Sequence, residues 1–519
     1  MHTERTLKNS IISVTCQIVT LLLQFLNRKI FIIFLDIEYL GYQSLFSNVF
    51  SILSIAELGV GNIIAFHLYK EITAANEEEI GKLMQLYKWI YRIIAAVVCL
   101  AGLICFFFLP YMVKNPSREW SYLYLIYFLQ LGSVVIGYFL SYRRTIYIAN
   151  QREYYCVQTD LAVQILIQIL QIATLAIFRN YILYLAIQLS STFIANLIIA
   201  RKSKKDYPYL QKKYKITKQD IKKRNIIKDM KNFLMHKIAY AVYTGTDSIV
   251  ISAFCGIRQV ALYGSYYELK RGVMQVFFYK LLNPVQATIG NIMYSEKTMK
   301  QKWDQFKMLD VFSFFFADYI GLGFLVFLQP VIQLWLGADY LLSFSFVIAF
   351  SLTAYLGAVF EIVYKYRSVF GDYAQDRNCM IVSALMNIAV SVVLSQFIGV
   401  TGVQIGTLIA FLPMAYGRIR FVVKHYFQQS MSSYILKHLL MLILTVAQGA
   451  LIYLLVGSLP VSFAGILLRV LAWVLIPLVI NTAIFHRNKY FKEMLVYLKR
   501  MLKIMTDKIK HKKGETSNE

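Results

Sequence analysis

Charge is what this sequence has least of. Asp, Glu, Lys and Arg make up 16% of its 519 residues, where a soluble globular chain carries roughly a quarter. Acidic charge is the scarcer sign: 28 Asp and Glu stand against 54 Lys and Arg, a formal net charge of +26. A water-soluble enzyme is excluded by the 58% hydrophobic content, because the apolar residues arrive in blocks of roughly twenty or more, the length that carries a helix across a bilayer. Cysteine offers no redox or metal framework. The six, at 16, 99, 105, 156, 255 and 379, are scattered through apolar segments without CxxC or Cys/His ligand spacing, and they read as small buried hydrophobes. A glycine-rich phosphate loop, GxSxG and HExxH are all missing, and His67, His236 and His425 stand alone at span ends, so no cofactor, metal or hydrolase signature is legible. No small-residue cleavage site follows the first apolar block, which reads as a retained span rather than a signal peptide.

What remains is an all-α polytopic membrane protein. Fourteen spans are expected, near 9–35, 40–69, 85–113, 119–148, 156–178, 180–200, 232–255, 259–294, 303–330, 339–368, 376–397, 400–423, 434–457 and 463–485. The eighth is too long for one crossing, and is expected to tilt, to kink at Pro284 or to project into the cytoplasm. The basic residues sit in alternate loops. Arg143, Arg144 and Arg152, the run from Arg201 to Lys237, Lys297 to Lys302, Arg367 and Arg377, and Arg418 to Lys424 all follow even-numbered spans. The loops after odd-numbered spans hold only Lys114, Arg118, Arg179 and Arg258. This asymmetry places both termini and the even loops in the cytoplasm, and it explains the net charge without a nucleic-acid partner.

The loop near 202–231 divides the chain. It is Lys-rich, contains Pro208, and carries Thr217-x-x-Asp220 as a capping box before a short basic helix. Six spans precede it, so the second half enters with the same sense as the first, as in parallel transporter repeats. The opening of span two, Glu38-Tyr-Leu-Gly-Tyr, has an echo in Val260-Ala-Leu-Tyr-Gly-Ser-Tyr at span eight. The expected organisation is a six-helix bundle over 1–201, a basic linker over 202–231, a second six-helix bundle over 232–424, two additional spans over 425–485, and a basic tail over 486–519. In that tail Phe491, Met494, Leu495, Leu498, Met501, Leu502, Met505 and Ile509 recur at helical spacing among Lys492, Lys499, Arg500, Lys503 and Lys510. It reads as an amphipathic helix on anionic inner-leaflet lipids, with a partner-binding helix as the other reading.

Charges inside the spans carry the functional argument. A Lys, Arg or Asp at a span's centre costs roughly 2.5–3.5 kcal/mol on translocon scales. Such residues persist where they meet a wet cavity, a counter-charge or a charged ligand. Arg28 and Lys29 lie in span one, Glu57 in span two, Asp247 in span seven, Lys270 and Arg271 in span eight, and Asp318 in span nine. Basic residues thus come at depth from both halves, and a cleft lined by them would concentrate an anion. Arg suits a phosphate because its planar fork donates two parallel hydrogen bonds; Lys adds charge alone. Structural readings stand beside these. Arg28, Lys29, Asp36 and Glu38 also fit an outer-rim ion network, and Glu268 fits an ion pair with Lys270 or Arg271. Glu57, Asp247 and Asp318 are candidates for a coupling cation, Na+ or H+, or for helix pairing.

Two stretches carry a family resemblance. LGYQSLFSNVFSILSIAELGVGNIIAFHLYKEI at 40–72 and HKIAYAVYTGTDSIVISAFCGIRQVALYGSYYEL at 236–269 resemble polysaccharide-repeat (Wzx-type) flippases of the multidrug/oligosaccharidyl-lipid/polysaccharide exporter superfamily. The resemblance implies two six-helix bundles around a central cavity plus two C-terminal helices, the MATE-like fold. It implies a non-enzymatic bacterial plasma-membrane protein that moves an undecaprenyl-pyrophosphate-linked oligosaccharide to the outer leaflet for capsule, O-antigen or related polymers, alongside a polysaccharide polymerase and glycosyltransferases. By position, Arg28, Lys29, Lys270 and Arg271 are the residues that would hold the pyrophosphate. Two rivals remain: a cation-coupled drug exporter of the same superfamily, which calls for a mainly acidic cavity, and a glycosyl polymerase or ligase, which calls for larger external loops.

Overall fold

The structure, a computed structural model, describes residues 2–54, 68, 69, 71–114, 116–212, 214, 238–275, 280–370 and 375–499. Among these residues regular structure is helical, without a strand. The principal helices in chain order are α1 (His2–Phe34), α2 (Glu38–Leu53), α3 (Glu77–Phe106), α4 (Trp120–Ser141), α5 (Tyr154–Phe178), α6 (Tyr181–Asp206), α7 (Ile238–Cys255), α8 (Ile257–Val273), α9 (Lys280–Met293), α10 (Met299–Trp335), α11 (Phe344–Val359), α12 (Glu361–Phe370), α13 (Arg377–Ile419), α14 (Met431–Val456) and α15 (Phe463–Phe485). Each expected span overlaps one of them.

Ten helices among the described residues are long and apolar enough to cross a membrane, or eleven if α11 and α12, bent by 44°, form one span. Expected and observed spans differ at four places. Residues 55–67 after α2, including Glu57, lie outside the described residues, as do 276–279 between α8 and α9. The α11–α12 pair is the third. The fourth is the apolar stretch Arg377–Tyr426, a single helix of 50 residues by its hydrogen bonds. At about 1.5 Å per residue it would be far longer than a bilayer core of roughly 30 Å. It folds back on itself at Gly399, whose φ of 58° and ψ of −137° suit glycine. Its arms then touch: a Cβ on Gly406 would collide with Ser391 Oγ.

The chain forms two compact units, residues 1–276 with 377–410 and residues 277–376 with 411–519. In the first, α2 packs on α7 and α8 through one helical face. A Cβ on Gly41 would collide with the Ile257 carbonyl oxygen, and one on Gly245 would sit 2.8 Å from Ile52. Between them Asn48 donates to Ser248 Oγ at 2.7 Å. Positions 41, 48 and 52 fall on one stripe of a 3.6-residue helix. The two stretches that carry the family resemblance therefore pack against each other. Gly41→Val forces a side chain against backbone, which costs about 1–3 kcal/mol in a packed core. It is expected to lower the melting temperature of the detergent-solubilised protein.

In the second unit α10 is the central helix, 37 residues long with Asp310 and Asp318 fully buried. It packs along α11 and receives α14 and α15. The first turns of the basic tail dock here too. Phe491 stacks on Phe315 with centroids 5.1 Å apart, and Tyr490 donates to Asp304 at 2.8 Å. Lys492 and Lys499 stay exposed. The apolar face of this stretch is thus used on the protein's own α10. The tail from residue 500 onward, and the Thr217–Asp220 capping box, lie outside the described residues.

Candidate functional site

The in-span arginines Arg28 and Arg271 both lie on the α1–α8 seam. On α1 the residues Gln17, Leu21, Gln24 and Arg28 are spaced four, three and four apart, which aligns them on one face. That face runs antiparallel to α8. Gln17 donates to Gln275 Oε1 at 3.3 Å, and Leu21 lies 2.8 Å from where a Cβ on Gly272 would be. Arg271 donates to Gln24 Oε1 at 3.4 Å and to Glu268 Oε2 at 2.5 Å. Arg28 Nη2 donates to the Ala261 carbonyl at 3.0 Å and to Ser265 Oγ at 2.8 Å. Its Nε has no hydrogen-bond acceptor among the described residues. A buried donor without an acceptor costs about 1–3 kcal/mol, and an anion entering the seam would supply one. Lys270 is half-buried next to Arg271, within electrostatic reach of Asp247. Lys29 is exposed on α1, off the face that carries Arg28. Asp36 and Glu38 serve their own turn, where Asp36 accepts from the Glu38 amide at 3.2 Å and Glu38 accepts from Ser117. Arg28 turns instead to α8. The Glu268–Arg271 pair does form, with Arg271 41% and Glu268 33% exposed. Neither partner is enclosed by the protein, so Arg271 can exchange Glu268 for another anion.

Asp247 is the centre of a second cluster in the same unit. It follows a bend at Thr246 in α7 and opens a helical segment, Asp247–Cys255, where a carboxylate is favoured by the helix dipole. Its side chain accepts from Tyr263 OH at 2.9 Å, Asn387 Nδ2 at 3.0 Å and Thr407 Oγ1 at 3.0 Å. Asn387 Oδ1 lies 3.1 Å from Ser391 Oγ and 3.2 Å from Thr407 Oγ1, and both hydroxyls reach the Val403 carbonyl, at 3.3 and 3.2 Å. Five residues from α7 and both arms of α13 thus form one chain of hydrogen-bonded oxygens that starts at a single carboxylate. That donor set fits a hard monovalent cation and not zinc, copper or iron, which favour nitrogen and sulfur. Among the described residues no three His, Cys, Asp or Glu come together as metal ligands.

Asp318 belongs to the other unit. Its two oxygens accept from Thr445 Oγ1 at 2.6 Å and Asn481 Nδ2 at 2.7 Å, tying α14 and α15 to α10. About two turns before it, Asp310 accepts from Tyr434 OH at 2.7 Å and Lys437 Nζ at 2.8 Å, with His438 Nε2 at 3.2 Å. Sequence reasoning passes over Asp310, Lys437 and His438, although all three are in-span ionisable residues. It also misses Gln17 and Gln24, whose spacing from Arg28 is the available signal. Asn387, Ser391 and Thr407 carry no charge, so nothing in their desolvation cost marks them.

A model of the polysaccharide biosynthesis protein family matches residues 6–283. This chain belongs to that family. Its fold is similar to those of solved flippases and exporters. One is "Lipid II flippase MurJ, inward closed conformation", with a TM-score of 0.64 and 14% identity over 93% of this chain and 98% of that one. Another is an inward-facing multidrug resistance MATE family transporter of the MOP superfamily, with a TM-score of 0.56 and 14% identity over 80% of this chain and 98% of that one. A third is a mutant of the Vibrio cholerae MATE transporter VcmN, with a TM-score of 0.56 and 13% identity over 80% of this chain and 94% of that one. No curated protein sequence matches the chain. The polysaccharide-flippase resemblance and the all-α membrane fold are thereby borne out, and the chain is a multi-pass membrane protein of this family.

Proposed function

We propose that the chain is a flippase that moves an undecaprenyl-pyrophosphate-linked oligosaccharide across the bacterial plasma membrane by alternating access, for assembly of a cell-surface polysaccharide. The supporting observation is the pair of guanidinium groups, Arg28 and Arg271, held on one seam by helices far apart in sequence. Arg28 and Arg271 face one carboxylate, Glu268, on the seam, and Lys270 lies beside them within reach of Asp247, so the arginines leave the seam net positive. That polarity suits a pyrophosphate and opposes the cationic drugs that an acidic site would take. Lys29, exposed on the same helix, meets the headgroup from its edge. Both termini face the cytoplasm in this reading; glycosyltransferases build the glycan on that side, and a polymerase consumes it after it has crossed. No covalent step is required of the protein. The Asp247 cluster is the place for a coupling Na+, and Asp318 serves helix pairing.

The direct test is turnover in proteoliposomes. A fluorescent lipid-linked oligosaccharide carrying a pyrophosphate should become accessible to a glycosidase on the far side only when the protein is present. Equal turnover of a lipid-linked glycan lacking both phosphates would sink the reading.

A lipid tail cannot thread a closed ring of helices, so a seam must part while the headgroup is held. The α1–α8 seam carries the arginines, and beside the Leu21–Gly272 contact its pairs are polar, Gln17 with Gln275 and Gln24 with Arg271. Gln17→Cys with Gln275→Cys is expected to form a disulfide under oxidant and to stop turnover, with recovery on reduction. Each single variant should retain activity under the same oxidant.

A further inference from the structure

Among the described residues of the second unit, four Lys and Arg side chains are buried, Lys365, Arg367, Arg418 and Arg469, and all but Arg469 have a carboxylate beside them. Arg367 and Arg418 pair with Asp376, and Lys365 with Glu361 at 3.4 Å. Arg469, in the second turn of α15 and 4% exposed, has only neutral acceptors. Its Nη1 donates to the Pro460 carbonyl at 3.1 Å and its Nη2 to the Leu459 carbonyl at 2.5 Å, with no carboxylate pairing it among the described residues. A charge taken out of water without a counter-charge is strongly disfavoured, and within a span it marks a site where a ligand supplies the missing charge.

A cavity of about 180 Å³ lies against this guanidinium. Gln329 and Gln333 of α10 and Phe344 and Tyr453 form its walls, and the last two stack with centroids 4.5 Å apart. Its floor is apolar, with Val326 and Val456 in one buried cluster with Leu322 and Ile452. Sites that enclose a drug-sized molecule run to roughly 300–1,000 Å³, so this one suits a headgroup and is too small for an oligosaccharide. The face of α15 that carries Arg469 continues through Ala472, Trp473 and Ile476, which pack against the same cluster, while the exposed leucines 467, 471, 475 and 478 lie on the opposite face. These are the features an anionic headgroup requires: one buried positive charge, amide donors, and an apolar floor.

We propose that this cavity binds the phosphodiester headgroup of an anionic phospholipid. The charge distribution of the loops assigns this end of α10, α14 and α15 to the outer face. The site shares no residue with the α1–α8 seam and stands whether or not the chain is a flippase.

The test uses the full chain in a neutral detergent, with phosphatidylglycerol, phosphatidylcholine or inorganic phosphate added. Phosphatidylglycerol is expected to raise the melting temperature and to persist as an adduct in native mass spectrometry, while phosphatidylcholine and inorganic phosphate do neither. Arg469→Gln should weaken that binding roughly tenfold or more, the scale of a lost charge-assisted contact, and Arg469→Lys should weaken it less. Gln333→Trp, at an exposed wall position, should block the cavity while leaving the lipid-free melting temperature unchanged, and it decides the matter if Arg469→Gln does not fold. Undiminished phosphatidylglycerol adducts in Gln333→Trp, or equal binding of phosphatidylcholine, overturn the proposal. An equal rise with inorganic phosphate also overturns it, since the ligand would then be a free anion.

Discussion

Arg28→Gln is expected to abolish turnover of the lipid-linked substrate, and Arg271→Gln to reduce it severely, with membrane insertion and yield intact. A hydrogen bond to a charged group is worth about 1.5–3 kcal/mol, and each 1.4 kcal/mol is about a factor of ten. One lost guanidinium therefore predicts roughly ten- to a hundredfold weaker engagement of a pyrophosphate. The two should differ in how far Lys restores them. Arg28 holds two acceptors on α8 through a single Nη2 and has an Nε without an acceptor among the described residues, a division that an ammonium on a flexible stem does not reproduce. Arg271 is largely a positive charge beside Glu268, and Lys can supply that. Arg271→Lys should thus recover most turnover and Arg28→Lys little. Glu268→Gln removes only the opposing charge, and is expected to leave turnover equal or higher. Initial rates in proteoliposomes over a range of substrate concentrations check all five variants. Normal rates in both Gln variants would remove the seam from the transport path.

The sequence is most legible where the physics of lipid is one-sided. A charge in a hydrocarbon span is costly enough that Arg28, Asp247, Arg271 and Asp318 stand out without knowledge of what they touch, and each is held by specific partners in the structure. The all-α architecture follows from the same cost applied to backbone groups, which cross a membrane as helices or closed barrels only. Partners are another matter. Nearness in sequence pairs Arg28 with Asp36 and Glu38, whereas it reaches across to Ala261 and Ser265. Neutral polar residues such as Asn387 and Thr407 are tolerated in spans at modest cost, so they send no signal until Asp247 is seen beside them. Asp310 is hidden differently: it lies eight residues from Asp318 on one helix, and only the fold shows that Tyr434, Lys437 and His438 converge on it.

These carboxylates also explain how the two additional helices are attached. Lipid tails are as apolar as leucine, so α14 and α15 gain little by burying apolar surface against α10. What fixes them is a series of acids on α10 that must be satisfied: Asp310 by α14, and Asp318 by α14 and α15 together. Asp304, nearer the start of α10, takes Tyr490 and Lys489 of the tail. The basic tail is thereby tied at its first turns to the same helix, with Lys492 and Lys499 left exposed. Register is set by hydrogen bonds, where apolar contact alone would leave it free.

Asp247→Asn is expected to remove any selective response of the protein to sodium. The oxygen-bearing residues around Asp247 stand about 3.0–3.3 Å apart through their hydrogen bonds, close enough for one small ion to replace those bonds with its own. Asn would keep the shape and lose the only formal negative charge, and Thr407→Val would keep the charge and lose an oxygen. If sodium binds here, salt at about a hundred times its dissociation constant stabilises the folded protein by about 2.7 kcal/mol, which is a shift of a few degrees in melting temperature. NaCl is therefore expected to raise the melting temperature above that in choline chloride at equal ionic strength. The increment should vanish in Asp247→Asn and shrink in Thr407→Val. It should persist in Asp318→Asn, because that carboxylate is held by one hydroxyl and one amide and has no ring of further oxygens among the described residues. A sodium increment that survives Asp247→Asn would place the ion elsewhere. An increment absent from the unmodified chain would leave Asp247 as the knot that joins α7 to both arms of α13, with transport driven by something other than sodium.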